Sequence, residues 1–171
     1  GLVTGLNTNG RRLSDRRFVD QLVEAGLDHV QITLESHLPA IHNQMVTSSN
    51  AWDQTVAGIR NVLDTPLYVM TNTTMLQSNV SSLGETLHFL ADLGVPTVGL
   101  NALIYSGAGA TCGLGLKETE LTPLLGLARQ ITDERGLRLI WYTHTQYCSF
   151  DPMELELGVK GCTAALYNMC V

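Results

Sequence analysis

The sequence carries little charge and few aromatic residues, and it lacks the stretches that define several common protein classes. Charged residues make up 15% and aromatic residues 6% of the 171 residues, whereas about a quarter of a typical soluble domain is charged. No apolar run approaches the roughly 18–20 residues that span a bilayer, so we expect no membrane association. The start shows no basic segment or signal-peptide layout, and we therefore predict a cytoplasmic protein.

Runs of basic residues are also missing. Ten Lys and Arg stand against 16 Asp and Glu, which gives a formal net charge of −6. A chain of this charge is a poor ligand for a phosphate backbone, so we predict that it binds no nucleic acid. The hydrophobic fraction of 44% is sufficient for a core and excludes wholesale disorder. The low charge suggests that part of the surface is covered by other protein.

Both ends of the sequence have the character of buried strands. The first seven residues and the last six are largely apolar, and no polar tail flanks either stretch. We therefore expect the chain to be a fragment of a longer protein.

One unit recurs along the chain: an amphipathic helix, a turn residue and a short apolar strand. Apolar side chains at helical spacing predict helices over 15–25, 51–63, 82–93 and 118–135, and strands over 29–34, 67–72, 97–103 and 137–141. Ser14 is the expected N-cap of the first helix, and Ser49 or Asn50 that of the second. Strands that alternate with helices of this length predict an α/β fold with a parallel sheet.

Polar residues gather where the predicted strands end. The groups are 7–9, 33–37, 71–74, Asn101 and 142–144. Buried parallel strands are normally apolar, and ligands of barrels and doubly wound sheets bind at the carboxyl ends of the strands. The pattern therefore favours a shared ligand-binding edge, although Ser, Thr and Asn also serve simply as caps and turn formers.

The four cysteines fall into two groups. Cys112 lies alone in a glycine-rich segment, 106–116, which reads as a surface loop rather than a phosphate-binding loop. Cys148, Cys162 and Cys170 lie close together in a final stretch that has lost the strand–helix rhythm. Three thiols in such a segment suggest zinc or an iron–sulfur cluster, with isolated buried cysteines as the alternative.

Two further interpretations of the sequence stay open. Glu35, His37 and His42 follow the second strand, and they could serve a metal-dependent α/β barrel lyase or hydrolase. The chain could also be a non-catalytic α/β binding module. An exposed sheet edge invites pairing with a second copy, so we expect a homodimer or a domain swap on either interpretation.

Several segments, taken in order, resemble a known family. Residues 7–10, 30–36, 69–74 with Asn79, and 98–101 resemble the middle and later strands of a radical S-adenosylmethionine (SAM) enzyme. Residues 160–171 resemble the entry to a cysteine-rich SPASM extension. The resemblance implies that residues 1–145 form part of a (β/α)6 barrel, with about four to five of its strands, and that 146–171 begin the extension.

The resemblance also implies site residues and a function. Thr33, Glu35, Asn72, Thr74 and Asn101 match positions that face SAM, and Cys148, Cys162 and Cys170 match metal ligands. The family's CxxxCxxC motif and its second-strand glycine motif are absent. The implied parent reductively cleaves SAM at a 4Fe–4S cluster and starts radical modification of a peptide or a small cofactor precursor, as in pyrroloquinoline quinone synthesis. The chain by itself is expected to be inactive and to hold neither cofactor.

Overall fold

A computed structural model describes residues 2–144 and 150–158 of the chain. It contains a five-stranded parallel sheet in the order β1-β2-β3-β4-β5. The strands are β1 (Gly5–Thr8), β2 (His29–Thr33), β3 (Tyr68–Met75), β4 (Thr97–Ala102) and β5 (Arg138–Trp141). The helices are α1 (Arg16–Glu24), α2 (Pro39–Met45), α3 (Ala51–Leu63), α4 (Leu83–Leu93) and α5 (Glu118–Arg135). The α/β fold expected from the sequence is confirmed, and the arrangement corresponds to part of a β/α barrel.

The consecutive strand order gives the sheet two different faces. Each crossover between neighbouring parallel strands is right-handed as a rule, so the helices lie on one side of the sheet. That side is apolar, and the core is built on it from residues such as Val30, Ile32, Val69, Val98 and Leu100. The opposite side, here called the inner face, carries the alternate residues Gln31, Thr33, Glu35, Met70, Asn72, Thr74, Gly99, Asn101, Ile140 and Tyr142.

The long helices lie where hydrophobic spacing places them. Helices α3 and α5 have the predicted bounds, α1 is one residue shorter at each end, and α4 begins one residue later. The expected N-cap Ser14 is wrong. Asp15 caps α1, and its side chain accepts a hydrogen bond from the backbone N–H of Arg17. The side chain of Ser14 instead bonds back to the carbonyl of Arg11, which it can reach because the preceding residues form a short 3₁₀ turn.

Two elements differ from the sequence-based expectation. Helix α2 was not predicted, because it has only seven residues and begins at Pro39, which is tolerated in a first turn. Strand β3 runs on to Met75, beyond the predicted end at residue 72. Its alternation of buried and half-buried residues continues through the threonines, since Thr71 and Thr73 are buried on the helical side.

Helix α3 holds the loop that follows β1. The hydroxyl of Thr55 donates to the carbonyl oxygen of Asn9 at 2.8 Å, and the amide of Asn61 donates to the carbonyl of Leu13 at 2.9 Å. The approach is close at Gly58, where an added Cβ would lie 2.3 Å from the carbonyl oxygen of Gly10. The absence of a side chain at Gly58 therefore allows this packing.

Two described segments remain, the loop after β4 and the stretch 150–158 that follows β5 in the chain. The glycine-rich segment after β4 is exposed, as expected for a surface loop, and Cys112 lies in it. Phe150 packs edge-on against Trp141 with ring centroids 6.4 Å apart. None of the helices within residues 2–144 and 150–158 is long and apolar enough to cross a membrane.

Candidate active site on the inner face

The five side chains predicted to face a ligand come together at the carboxyl ends of β2, β3 and β4. Thr33 pairs with Asn72 across β2 and β3, and Thr74 pairs with Asn101 across β3 and β4. Glu35 lies two residues beyond the end of β2 and contacts Thr74. All five are half-buried on a surface that bears no helix. The structure therefore assembles one polar cluster at this edge of the sheet.

Glu35 is the most perturbed acid of this cluster. Its Oε2 accepts a hydrogen bond of 2.8 Å from the backbone N–H of Thr74. Burial raises the pKa of Glu35 to about 7, and the hydrogen bonds from Thr74 offset only part of this effect. Near neutral pH, the carboxyl group is therefore present in both protonated and ionised forms.

A chain of amides lies beside Glu35. Asn72 Nδ2 donates to Asn101 Oδ1 at 2.7 Å, and Asn101 Nδ2 donates to Thr74 Oγ1 at 3.3 Å and to the carbonyl of Ala102. The other end of the chain is open. Asn72 Oδ1 is buried, and none of the described residues donates a hydrogen bond to it. An unpaired buried acceptor is costly, so this oxygen is a natural partner for a donor on a bound molecule.

Asn79 fixes the backbone under the cluster. Its amide nitrogen donates to the carbonyls of Glu35 at 2.7 Å and Thr74 at 2.9 Å, and its Oδ1 accepts from the N–H of Leu76. The side chain is buried. Asn79 therefore ties the end of β2 to the end of β3. The sequence placed it in the family pattern but gave no sign of this bridging role.

The sequence indicates Tyr142 only as a polar strand end, and in the structure its side chain crosses the inner face. Its hydroxyl donates to Gln31 Oε1 at 3.1 Å, so the side chain reaches from the end of β5 to β2. Gly99 leaves room for the ring, because an added Cβ there would lie 2.5 Å from Cε2 of Tyr142. Burial raises the pKa of Tyr142, and the nearby charge of Arg138 lowers it by less.

The two histidines after β2 make structural contacts. His42 is buried, and its Nδ1 accepts a hydrogen bond from the backbone N–H of Glu35 at 3.1 Å. His37 Nδ1 lies 3.1 Å from the hydroxyl of Thr86. Burial lowers the pKa of His42, which agrees with a neutral imidazole that accepts. In the part of the chain that the structure describes, no three His, Cys, Asp or Glu side chains are placed to hold a metal ion.

The structure does not test the cysteines that the sequence predicts as metal ligands. Cys148, Cys162 and Cys170 fall outside the described residues, so their role stays a prediction. Within the described ranges, Cys112 is an exposed free thiol. An iron–sulfur cluster needs several thiolates, and the described residues therefore do not fit one.

One curated relative shares a substantial part of the sequence. The chain is 30% identical, over 107 residues, to a pre-heme d1 synthase of Dinoroseobacter shibae. The match covers 63% of this chain and 26% of that protein, so the chain spans about a quarter of the relative's length. No family model matches the chain.

Solved structures with a similar course of the chain are remote in sequence. A tandem GH20 catalytic module of the pneumococcal exo-β-D-N-acetylglucosaminidase has a TM-score of 0.49 and 11% identity, covering 82% of this chain and 53% of that one. An endocellulase from Pyrococcus horikoshii also has a TM-score of 0.49 and is 8% identical. The match covers 82% of this chain and 51% of the endocellulase chain. Likenesses at this level carry no information about substrate.

These findings correct the function that the sequence suggested. The curated relative is named for making pre-heme d1, not for maturing peptides or making pyrroloquinoline quinone. The described site offers a carboxyl group whose pKa burial raises to about 7. The predicted function, reductive SAM cleavage that starts modification of a peptide or pyrroloquinoline quinone precursor, is wrong, and a different α/β-barrel enzyme fits better. The family resemblance and its cofactors stay predictions, because none of these findings tests them.

Proposed function

We propose that the chain forms the ligand-binding wall of an α/β-barrel enzyme that acts on a tetrapyrrole precursor, with Glu35 as the proton-transferring group. The observation that carries the proposal is the position of Glu35. It is a half-buried acid at the carboxyl edge of a parallel sheet, with a pKa of about 7. Active sites of β/α barrels lie at that edge.

The chemistry follows from this pKa. A general acid or base works best when its pKa lies near the working pH, because both the donor and the acceptor forms are then populated. Thr74 holds the carboxyl group through its backbone N–H and its side chain, and the remaining lone pairs of the carboxyl oxygens can take a substrate proton. Asn72 Oδ1, which lacks a donor among the described residues, and the amide of Asn101 lie on the same surface to orient the substrate.

The substrate class comes from the curated relative. A heme is an iron-bound tetrapyrrole, and the synthase of Dinoroseobacter shibae is named for a heme d1 precursor. We transfer the class of substrate and not the individual compound, since the chain spans about a quarter of that protein.

Complementation tests the proposal. The open reading frame that encodes this chain is introduced into a Dinoroseobacter shibae strain that lacks its pre-heme d1 synthase, and heme d1 is extracted and measured by absorption and mass. We expect heme d1 to return. We expect Glu35→Gln to lower its amount by roughly tenfold or more, because proton transfer by a positioned side chain contributes about 10²–10⁴ to a rate.

Glu85→Gln is the matched control, because Glu85 is an exposed acid in the first turn of α4. It should restore heme d1 as the unsubstituted protein does. A protein that accumulates normally and restores no heme d1 would exclude the reaction for which the relative is named, and the tetrapyrrole class would then depend on porphyrin binding. Equal restoration by Glu35→Gln would remove Glu35 from the chemistry.

A further inference from the structure

Tyr142 crosses the inner face close to the backbone, and two contacts restrict its side chain. One side of its ring meets the backbone at Gly99, where no Cβ intervenes. Its hydroxyl is fixed at the far end by Gln31 Oε1. Yet the residue is 41% exposed, so the ring still presents a surface to the inner side of the sheet. A planar side chain held at both ends is a pre-organised stacking surface.

Arg138 supplies a positive charge beside this ring. It lies four residues before Tyr142 on the same face of β5, and its charge acts on the hydroxyl of Tyr142. Arg138 is exposed and forms no ion pair with the residues that the structure describes. A guanidinium without an ion pair next to an aromatic ring is a candidate partner for an anionic group, and on this face it lies beside Tyr142.

The surface between Arg138 and Tyr142 on the inner face is apolar. Ile140 lies between Arg138 and Tyr142 along the strand and pairs with Gly99, and Met70 is half-buried on the same face. Tyr68 is a second exposed tyrosine on this face, and its hydroxyl contacts Thr97 Oγ1 in the strand next to Arg138. An apolar patch with aromatic rings and one cation matches a molecule that is flat, conjugated and edged with carboxylates. A puckered molecule with the same carboxylates cannot stack on the ring.

We infer that Tyr142 and Arg138 form a substrate subsite on the inner face, in which Tyr142 stacks on a planar conjugated ring and Arg138 binds a carboxylate at its rim. The inference rests on the proposed function, because a tetrapyrrole macrocycle has this chemistry. It goes further by naming the two residues that select a flat, carboxylate-bearing ring.

Titration with coproporphyrin III tests the subsite through the Soret band of the porphyrin. The chain should shift this band on binding. Tyr142→Leu should weaken binding by about tenfold, and Tyr142→Phe, which keeps the ring, should stay within about twofold. Arg138→Gln should weaken binding by about fivefold, because a charge-assisted hydrogen bond is lost.

Two substitutions serve as matched controls. Tyr105→Leu removes another exposed tyrosine, one that lies in the loop after β4, and Arg60→Gln removes another exposed arginine, on α3. Both should bind coproporphyrin III as the unsubstituted chain does. Circular dichroism verifies that each variant is folded.

A competition experiment on the unsubstituted chain needs no variant. Coproporphyrinogen III has the same four carboxylates on a puckered, non-conjugated ring, so it should displace coproporphyrin III poorly. The subsite would be overturned if coproporphyrinogen III displaced coproporphyrin III as well as coproporphyrin III itself does, or if folded Tyr142→Leu bound the porphyrin unchanged. Either result would leave the assignment of porphyrin binding intact. No Soret shift with the unsubstituted chain would overturn both the subsite and the tetrapyrrole assignment.

Discussion

Glu35 connects several backbone segments and also carries the proposed proton-transferring group. Its backbone N–H donates to the buried His42, its carbonyl accepts from Asn79, and its carboxyl group accepts from Thr74. The main chain at Glu35 is therefore fixed on both sides, and the carboxyl group cannot move out to water without losing the bond from Thr74. This fixation maintains the burial that raises its pKa.

The raised pKa of Glu35 predicts that the fold loses stability as the pH rises. Between the ordinary value of 4.5 and about 7, the folded protein holds a proton that the unfolded chain has released. The free energy of unfolding should therefore fall with pH in this window, by at most about 1.4 kcal/mol per unit. Urea unfolding at pH 5 and pH 7.5 measures the fall. Glu35→Gln should show a smaller one, and the same fall in both proteins would exclude Glu35 as its source.

Removal of the Asn79 side chain should destabilise the fold. Asn79→Ala leaves the carbonyls of Glu35 and Thr74 and the N–H of Leu76 without their partner. We expect a loss of about 2–4 kcal/mol in urea unfolding, because buried groups left unpaired retain their desolvation cost. Ser81→Ala, at an exposed neighbouring position, should change stability by less than about 0.5 kcal/mol. Equal midpoints for the two variants would show that Asn79 does not bridge the strands.

At the scale of the elements, contacts with the loop after β1 position α3 as much as contacts with the sheet do. Thr55, Asn61 and Gly58 all contact that loop, through two hydrogen bonds and one close backbone approach. The loop in turn leads from the edge strand into α1. The position of α3 therefore determines how the first helix and strand are joined.

This packing predicts opposite effects for two glycine-to-alanine substitutions in helices. Gly58→Ala places a methyl group 2.3 Å from the carbonyl oxygen of Gly10, so α3 must move, and we expect a loss of about 1–3 kcal/mol. Gly126 in α5 has no heavy atom within 4 Å of an added Cβ. Gly126→Ala should raise stability by about 0.5–1 kcal/mol through helix propensity. Thermal unfolding compares the two, and a stabilised Gly58→Ala would refute the close approach.

The accuracy of the sequence-based expectations follows the range of the interactions. The long helices are encoded by spacing within about two turns, and their bounds could be predicted well. Helix α2 is too short to show a period, and Pro39 reads as a breaker in sequence alone. Asp15 replaces Ser14 as the cap because of a 3₁₀ turn that no local preference indicates.

The candidate site could also be predicted only in part from the sequence. Glu35, Asn72 and Asn101 could be grouped from sequence, because parallel strands bring their carboxyl ends to one edge. The contact of Tyr142 with Gln31 could not, since 111 residues separate the two in the chain. Nor could the pKa of Glu35, which depends on burial by several elements.

At the scale of the whole molecule, the described sheet is open at β1. No strand in the described ranges pairs with the outer side of β1, and Leu2 and Val3 beside it are 94% and 78% exposed. An unpaired edge with apolar side chains is a template for another strand. The homodimer or swap expected from the sequence therefore stays a prediction, with this edge as its location.

Light scattering over a range of concentrations tests this edge. The chain should associate with increasing concentration, and the double substitution Leu2→Lys with Val3→Lys should keep it monomeric, because charges at an edge oppose pairing. Ile104→Lys is the control, since Ile104 is 72% exposed in the loop after β4. A monomer at every concentration would show that this edge does not pair.

The consecutive order of the five strands also bears on how the chain is made. Each strand from β2 to β5 pairs with the strand synthesised just before it, so no described pairing requires a strand from further along the chain. Pairing with the neighbouring strand closes a shorter loop than pairing with a distant strand, so it costs less chain entropy. The sheet can therefore grow one strand at a time as the polypeptide leaves the ribosome, with β1 and β2 paired before β5 has been translated.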